Sequence, residues 1–178
     1  SAYSAVNQGH CHPSIVSAMQ EQTGKLTLTS RAFYSSNLGK YEQFITEYFG
    51  YDKVLPMNTG AEAVETAIKI ARKWAYDVKK VPANAAKILT CSENFHGRTT
   101  TIVSFSTDDD ATGGFGPYTP GFEVIPYNDL DALREAVADP NVAGFLVEPI
   151  QGEAGVNVPH DDYIREAHAI CKEANVLL

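Results

Sequence analysis

The stretch Asn58-Thr59-Gly60-Ala61 places small residues where a helix is expected to begin. The bare backbone N–H groups of Gly60 and Ala61 could bind an anion there, because the helix dipole favours negative charge at its N-terminus. No G-x-x-x-x-G-K-[ST] motif occurs in the sequence, so this is not a Walker loop. An ordinary capped helix start explains the same residues, since capping boxes are common. The motif therefore predicts either a phosphate site or a structural cap.

A second motif, Phe95-His96-Gly97-Arg98, follows a predicted strand. The aromatic ring of Phe95 could stack on a flat ligand, since aromatic systems prefer offset stacking. The guanidinium of Arg98 could hold a carboxylate in a bidentate fork. A surface loop with an anchoring Phe95 and a solvated Arg98 is an equally good interpretation of these residues alone.

A third motif contains two carboxylates, because Glu148 ends an apolar run and Glu153 follows in a glycine-rich turn. Such a pair could perform general acid/base chemistry of the glycosidase kind. Two structural acids fit the same spacing, and we favour that interpretation for the residues taken alone.

The elements that must position these motifs follow from hydrophobic periodicity. Helices are predicted at 13–23, at 38–49, from a cap at Thr59 through Val78, at 129–137, and after a cap at Asp161 or Asp162. Strands are predicted at 53–57, 87–91, 122–126 and 142–147, with another beginning near residue 175. This alternation predicts an α/β fold, a three-layer α/β/α arrangement with a mainly parallel sheet that is incomplete at both ends. The loops after parallel strands share one edge, so we expect the three motifs there.

Composition excludes some functions. The 178 residues carry 22 acidic against 14 basic side chains, a formal net charge of -8, which argues against a nucleic-acid partner. No apolar run approaches the ~18 residues of a membrane span. His10-Cys11-His12 lacks the usual spacing of metal ligands, so no metal site is predicted. Residues 108–110, three consecutive aspartates, are expected to form a solvated turn.

Taken together, the motifs resemble the class III aminotransferases of fold type I, which depend on pyridoxal 5'-phosphate (PLP). The segments that carry this resemblance are residues 1–10, 26–34, 54–60, 115–117 and 147–155. Tyr3 and residues 31–34 make the chain most similar to the ornithine-specific members of the family. The fold implied is the large PLP-binding domain of these transferases.

The resemblance implies a cofactor site. The PLP phosphate would bind the N–H groups at the start of the helix, Phe95 would stack on the pyridine ring, and Glu148 would support the cofactor. His96 stands where some relatives have Trp, which affects the packing beside the ring. The residues expected to bind the cofactor are Thr59, Gly60, Ala61, Phe95, His96 and Glu148.

The resemblance also implies a substrate and a reaction. Arg98 would hold the substrate α-carboxylate, Tyr3 would line the same pocket, and Glu153 would pair with a downstream arginine when ornithine binds and release it for 2-oxoglutarate. The activity expected is transfer of the δ-amino group of L-ornithine to 2-oxoglutarate or another 2-oxo acid, giving glutamate-5-semialdehyde. The alternatives are an acetylornithine or 4-aminobutyrate aminotransferase, or a non-catalytic protein that binds PLP or another phosphate ligand.

Several expectations concern the parent protein. The Schiff-base lysine and the aspartate that pairs with the pyridine nitrogen are expected beyond Leu178, so no catalytic residue is expected among residues 1–178 and this chain alone should be inactive. Residues 1–36 are assigned to an N-terminal interface region and residues 37–178 to part of the PLP-binding domain. A homodimer in the cytoplasm or mitochondrial matrix is expected, with the N-terminus missing here. Its partners would be a small amino acid and a 2-oxo acid, with no nucleic acid and no membrane.

Overall fold

The computed structural model describes residues 5–30 and 32–178, so Tyr3 and Arg31 lie outside the described residues. The chain divides into two compact units, Ser1–Pro56 and Met57–Leu178. This boundary lies later than the expected boundary after residue 36, because the second helix belongs to the first unit. The assignment of residues 1–36 to an interface region stays a prediction.

In residues 5–30 and 32–56 the first unit forms two helices, α1 (Pro13–Thr23) and α2 (Ser36–Phe49). The hydroxyl of Ser35 accepts hydrogen bonds from the first N–H groups of α2. Gly50 ends α2 in the left-handed conformation, at φ 72°, which glycine adopts without strain. Both predicted helices are confirmed. Neither helix contains a buried residue.

The second unit is built on a parallel sheet with the strand order β2-β1-β3. The strands are β1 (Lys87–Cys91), β2 (Phe122–Ile125) and β3 (Val142–Phe145). Leu177 adds a parallel bridge to Gly144, where a further strand was predicted to begin. The strand predicted at 53–57 is wrong, because those residues pair with no strand in the described part of the chain. A short apolar run becomes a strand only where a neighbouring strand receives its hydrogen bonds.

Helices cover both faces of this sheet. The described helices of this unit are α3 (Gly60–Trp74), α4 (Thr100–Val103), α5 (Asp109–Thr112), α6 (Leu130–Ala136) and α7 (Tyr163–Glu173). Those that pack against the sheet are α3, α4, α6 and α7. Successive strand residues point to opposite faces. Leu89 therefore packs in the core formed with α6 and α7, whereas Ile88 packs in the core formed with α3 and α4. The three-layer α/β/α fold is confirmed.

Three local predictions need correction. The long helix predicted to reach Val78 stays regular only to Trp74 and continues as a π-helical turn, Ala75–Lys79. Asp108 is not part of a simple solvated turn, since it caps α5. Asp162 is the N-cap residue that precedes α7, but its carboxylate pairs with Arg165 at 2.6 Å and does not cap the helix.

None of the helices in the described ranges combines the length and apolar character needed to cross a membrane.

Candidate functional site

The site begins at the first turn of α3. The hydroxyl of Thr59 accepts the N–H of Glu62 at 3.1 Å, which leaves the N–H groups of Gly60 and Ala61 without an intrahelical partner. The carboxylate of Glu62 accepts the N–H of Asn58, also at 3.1 Å. Gly60 has open space where a side chain would stand, with no atom within 4 Å. An anion can therefore reach the backbone at this helix end.

Residues 92–99, which we call the Phe95 loop, follow β1 and pack closely against this first turn. Gly97 lies at φ 129°, a conformation open to glycine alone. A Cβ on Gly97 would stand 2.9 Å from Ile102 Cδ1 and 3.1 Å from Ala61 Cβ. The absence of a side chain at Gly97 is what brings the loop and the helix start together.

A side-chain hydrogen bond joins the same two segments. The hydroxyl of Thr99 donates to the carboxylate of Glu65, one turn along α3. The same hydroxyl accepts the N–H of Ile102 and so caps α4. Thr99 thereby connects the Phe95 loop with α3 and α4 at once.

The side chains of Phe95 and Arg98 both reach solvent. The ring of Phe95 is 37% exposed, and the guanidinium carbon of Arg98 lies 5.1 Å from its centroid. Arg98 covers one face of the ring, so a stacked ligand would take the other face or displace the guanidinium. Among the residues that the structure describes, Arg98 forms no ion pair. Its charge is thus available to a ligand carboxylate.

His96 has a different environment from its neighbours. Its ring packs 5.9 Å from that of the buried Phe105, and its Nε2 is buried with no hydrogen-bond partner among the described residues. Burial lowers the pKa of His96 from 6.5 to about 4, so the imidazole is neutral at pH 7. The expected place of His96 beside the cofactor stays a prediction. Its packing against Phe105 favours a structural role, in which His96 anchors the Phe95 loop to the core.

Glu148 ties the third motif to the Phe95 loop. Its carboxylate accepts the N–H of Phe95 at 3.1 Å. Burial raises the pKa of Glu148, the N–H groups of Phe95 and Gly152 oppose that rise, and the nearby charge of Glu153 adds to it. A carboxylate bound by two backbone donors fits the structural role better than glycosidase-like proton transfer.

Glu153 lies in a turn, residues 151–157, which we call the Glu153 turn. The side chain is exposed, and the adjacent Gly152 and Gly155 have no atom within 4 Å of a notional Cβ. At the base of the turn, Gln151 and Asn157 form an antiparallel bridge. Glu153 is therefore presented to solvent beside Glu148.

The three motifs come together at the edge where the parallel strands end. The contacts Gly97–Ala61 and Phe95–Glu148 connect them in pairs. Sequence reasoning missed Glu65, which connects α3 to the Phe95 loop, and Gln151, which connects the Glu153 turn to that loop. Only the tertiary contacts reveal them, because a glutamate inside a helix and a glutamine after a strand carry no distinctive spacing.

A family model for class III aminotransferases matches residues 1–178. The chain belongs to the class III aminotransferase family. Its fold and the convergence of its three motifs agree with that membership.

Curated and solved relatives carry more specific names. The mitochondrial ornithine aminotransferase of Drosophila melanogaster is 60% identical over 177 residues, 99% of this chain and 41% of the relative. Two solved structures of ornithine aminotransferase from Toxoplasma gondii, one described with partial occupancy of PLP at its active site, each match with a TM-score of 0.95 and 55% identity over 99% of this chain and 42% of theirs.

A solved structure named acetylornithine aminotransferase, from Elizabethkingia anophelis, is 62% identical with a TM-score of 0.81, covering 98% of this chain and 42% of that one. The chain thus spans about two fifths of the length of the relatives it matches.

Proposed function

We propose that the full-length protein containing this chain is a PLP-dependent aminotransferase that moves the δ-amino group of L-ornithine to 2-oxoglutarate or another 2-oxo acid. The observation that carries the proposal is the packing of Gly97 against Ala61, which sets the Phe95 loop beside an open helix N-terminus. The names of the Drosophila and Toxoplasma relatives support the choice of ornithine.

The residues present fit PLP by their chemistry. The free N–H groups of Gly60 and Ala61, with Thr59 at the cap, suit a phosphate. The half-exposed ring of Phe95 suits a pyridine ring, and the carboxylate of Glu148 holds the backbone of Phe95 in place. When bound, PLP supplies an electron sink for the carbon that carries the reacting amine.

The proposed substrate role of Arg98 is supported by its guanidinium, which lies over one face of the Phe95 ring and forms no ion pair within the described part of the chain. We assign it the carboxylate of the amino-acid substrate, which a guanidinium binds with two parallel hydrogen bonds. Glu153 is proposed to neutralise a further arginine when ornithine binds and to release it for a diacid. Tyr3 is proposed to line the same pocket, although it lies outside the described residues.

Transamination also needs a lysine amine that moves a proton, and the three motifs described above contain no such lysine. We propose that the lysine and the aspartate expected of the family lie in the part of the full-length protein outside these residues, and that residues 1–178 alone are inactive. The support is the share of the relatives that the chain spans, 41% of the Drosophila protein.

A second candidate is acetylornithine transamination. It is favoured by the 62% identity with the acetylornithine aminotransferase from Elizabethkingia anophelis. The two substrates share the α-carboxylate and differ at the α-amine, which acylation makes neutral and bulky. 4-Aminobutyrate, which lacks the α-amine and carries its carboxylate one carbon nearer to the reacting amine, is a third donor to test. A non-catalytic PLP-binding protein is the fourth candidate.

The test uses the full-length protein loaded with PLP. The absorbance band of the bound cofactor is recorded after separate additions of L-ornithine, N-acetylornithine and 4-aminobutyrate. Loss of the band with ornithine alone is the expected result. Loss with acetylornithine alone would transfer the proposal to that substrate, and a band unchanged by every donor would leave a non-catalytic PLP-binding protein.

We also infer that the full-length protein is a homodimer. The support is a set of exposed apolar side chains on α2, whose residues include Tyr41, Phe44, Tyr48 and Phe49. Exposed apolar clusters of this kind mark association surfaces. Light scattering after size exclusion would give the mass, and a monomer at micromolar concentration would contradict the inference.

The mitochondrial matrix and the cytoplasm are both proposed as locations. The name of the Drosophila relative supports the first, while the Brevibacillus brevis relative, 56% identical, bears no compartment in its name. Fluorescence of the tagged full-length protein in its own cells would decide between them.

A further inference from the structure

Gln151 is a polar side chain in a buried position, only 1% exposed. Its amide nitrogen donates to the carbonyl of Ser92 at 2.7 Å, and its amide oxygen accepts from the side chain of Asn157 at 3.3 Å. Both ends of the amide are thus occupied. A buried amide that is hydrogen-bonded at both ends is costly to disturb, because a group left without its partner pays the full desolvation penalty.

The two partners of Gln151 belong to the two loops of the site. Ser92 opens the Phe95 loop, and its own N–H donates to Ile125 at the end of β2, at 2.8 Å. Asn157 closes the Glu153 turn, exchanging backbone hydrogen bonds with Gln151 at 2.9 and 3.1 Å. The side chain of Gln151 therefore joins the base of the Glu153 turn to the edge of the sheet.

Asn157 contributes a second, longer connection. Its side-chain amide lies 3.4 Å from the carboxylate of Glu93 in the Phe95 loop. Above this base, residues 152–156 are all exposed, and Gly155 adopts φ 113°. The turn is consequently held at its base and open at its tip, where Glu153 stands.

We propose that Gln151 is a positioning residue that sets where Glu153 stands relative to the Phe95 loop. Because its side chain is buried, Gln151 would act through the turn and not by touching substrate or cofactor. The substrate role of Glu153 rests on the proposed function. The expected effect of Gln151 on substrate specificity therefore rests on it too. The positional effect on the turn rests on the contacts alone.

The kinetic test uses the full-length holoenzyme. Gln151→Glu keeps the size of the side chain but sets a carboxylate against the carbonyl of Ser92. We expect the ratio of KM for ornithine to KM for 2-oxoglutarate to change about 10-fold, a change of about 1.4 kcal/mol. The dissociation constant of PLP should stay within about 2-fold, because the side-chain hydrogen bonds of Gln151 are to Ser92 and Asn157 and not to Gly60 or Phe95. Gln20→Glu, the same exchange at an exposed position of α1, is the matched control.

Hydrogen exchange provides a readout that does not need activity. Mass spectrometry of the cofactor-free protein should show amides of residues 152–157 exchanging about 10-fold faster in Gln151→Glu, with α3 unchanged. Asn157→Ala is the second variant, which retains the Gln151–Ser92 bond and should show a smaller effect. It keeps the test open if Gln151→Glu fails to fold.

The outcomes separate the two proposals. Unchanged exchange in the turn, or a PLP dissociation constant that moves together with both KM values, would overturn the positioning role. Faster exchange in the variant, with a wild-type protein that converts no ornithine, would support the positioning role and refute the proposed function.

Discussion

The Phe95 loop and the Glu153 turn flank the same site but are built in opposite ways. In the Phe95 loop, Gly97 leaves no room for one added carbon, and Asn94 is buried with two hydrogen bonds to backbone carbonyls. In the Glu153 turn, Gly152 and Gly155 face open space, and only the base is held. Under the proposed function, the Phe95 loop would be the rigid half of the site, which holds a cofactor that is the same in every turnover. The Glu153 turn would be the adjustable half, which faces substrates that differ in charge.

Gly97→Ala should produce the largest effect. The new Cβ would meet Ile102 and Ala61 at 2.9 and 3.1 Å, in a backbone conformation that disfavours any side chain. We expect a cost of about 2–4 kcal/mol and a PLP affinity at least ~10-fold weaker, because the loop must move away from α3. Thermal unfolding and PLP titration of the full-length protein measure both quantities. Unchanged PLP affinity would refute the rigid-half interpretation.

Arg98→Met should weaken the binding of the amino donor and leave the binding of the cofactor nearly unchanged. Loss of a charge-assisted pair with a carboxylate costs about 1.5–3 kcal/mol, equivalent to a ~10- to 100-fold rise in KM for ornithine. PLP affinity should change little, since the contacts of Gly60 and Ala61 are retained. Steady-state kinetics with Arg98→Lys as the intermediate variant provide the measurement. Equal losses in PLP affinity and KM would place Arg98 at the cofactor instead.

His96 should make the Phe95 loop sensitive to acid. Its pKa is lowered to about 4, so below pH 6.5 the unfolded chain takes up a proton that the folded protein refuses. Stability is therefore present at neutral pH and is lost between about pH 6.5 and pH 4, by about 2–3 kcal/mol. In His96→Phe this part of the pH dependence should disappear. Thermal midpoints of the cofactor-free protein across that range test it, and parallel profiles for the two proteins would contradict it.

Thr99→Val should have a moderate effect. It removes the hydroxyl that caps α4 and donates to Glu65 while keeping the volume of the side chain. The expected loss is about 1–2 kcal/mol, typical of a lost cap with a partner left behind. Thermal unfolding measures it, with Thr100→Val, an exposed neighbour, as the control. Equal shifts for the two variants would show that the bond to Glu65 contributes nothing.

Gly152→Ala should have the smallest effect and completes the comparison with Gly97. No atom lies within 4 Å of the added Cβ, so we expect a change within ~0.5 kcal/mol and an unchanged PLP affinity. The same thermal and titration measurements apply. A loss as large as that of Gly97→Ala would show that the turn is as tightly packed as the loop.

The sequence predicted a helix or a strand correctly where its buried apolar residues recur with the period of that element. The apolar stripe of α3 and the doubly buried run of β3 gave the right element types, because each must bury its apolar side chains against the other. The run at 53–57 has similar composition and forms no strand, since strand formation depends on a partner elsewhere in the chain.

The residues of the candidate site likewise fall into those that the sequence could identify and those that it could not. Thr59, Gly60, Phe95, Arg98 and Glu148 could be singled out because their residue types and their places after strands already suggest chemistry. The packing of His96 against Phe105 could not be predicted, because no sequence pattern distinguishes a buried histidine in a loop from an exposed one.

The sequence by itself determined the family, the alternation of strands and helices, and the edge on which the motifs lie, because periodicity and local turn chemistry are properties of neighbouring residues. Tertiary structure alone decided that Gly97 lies against Ala61, that Thr99 bonds Glu65, and that Gln151 joins the two loops. These contacts join residues distant along the chain, and only the packed sheet sets the distances between them.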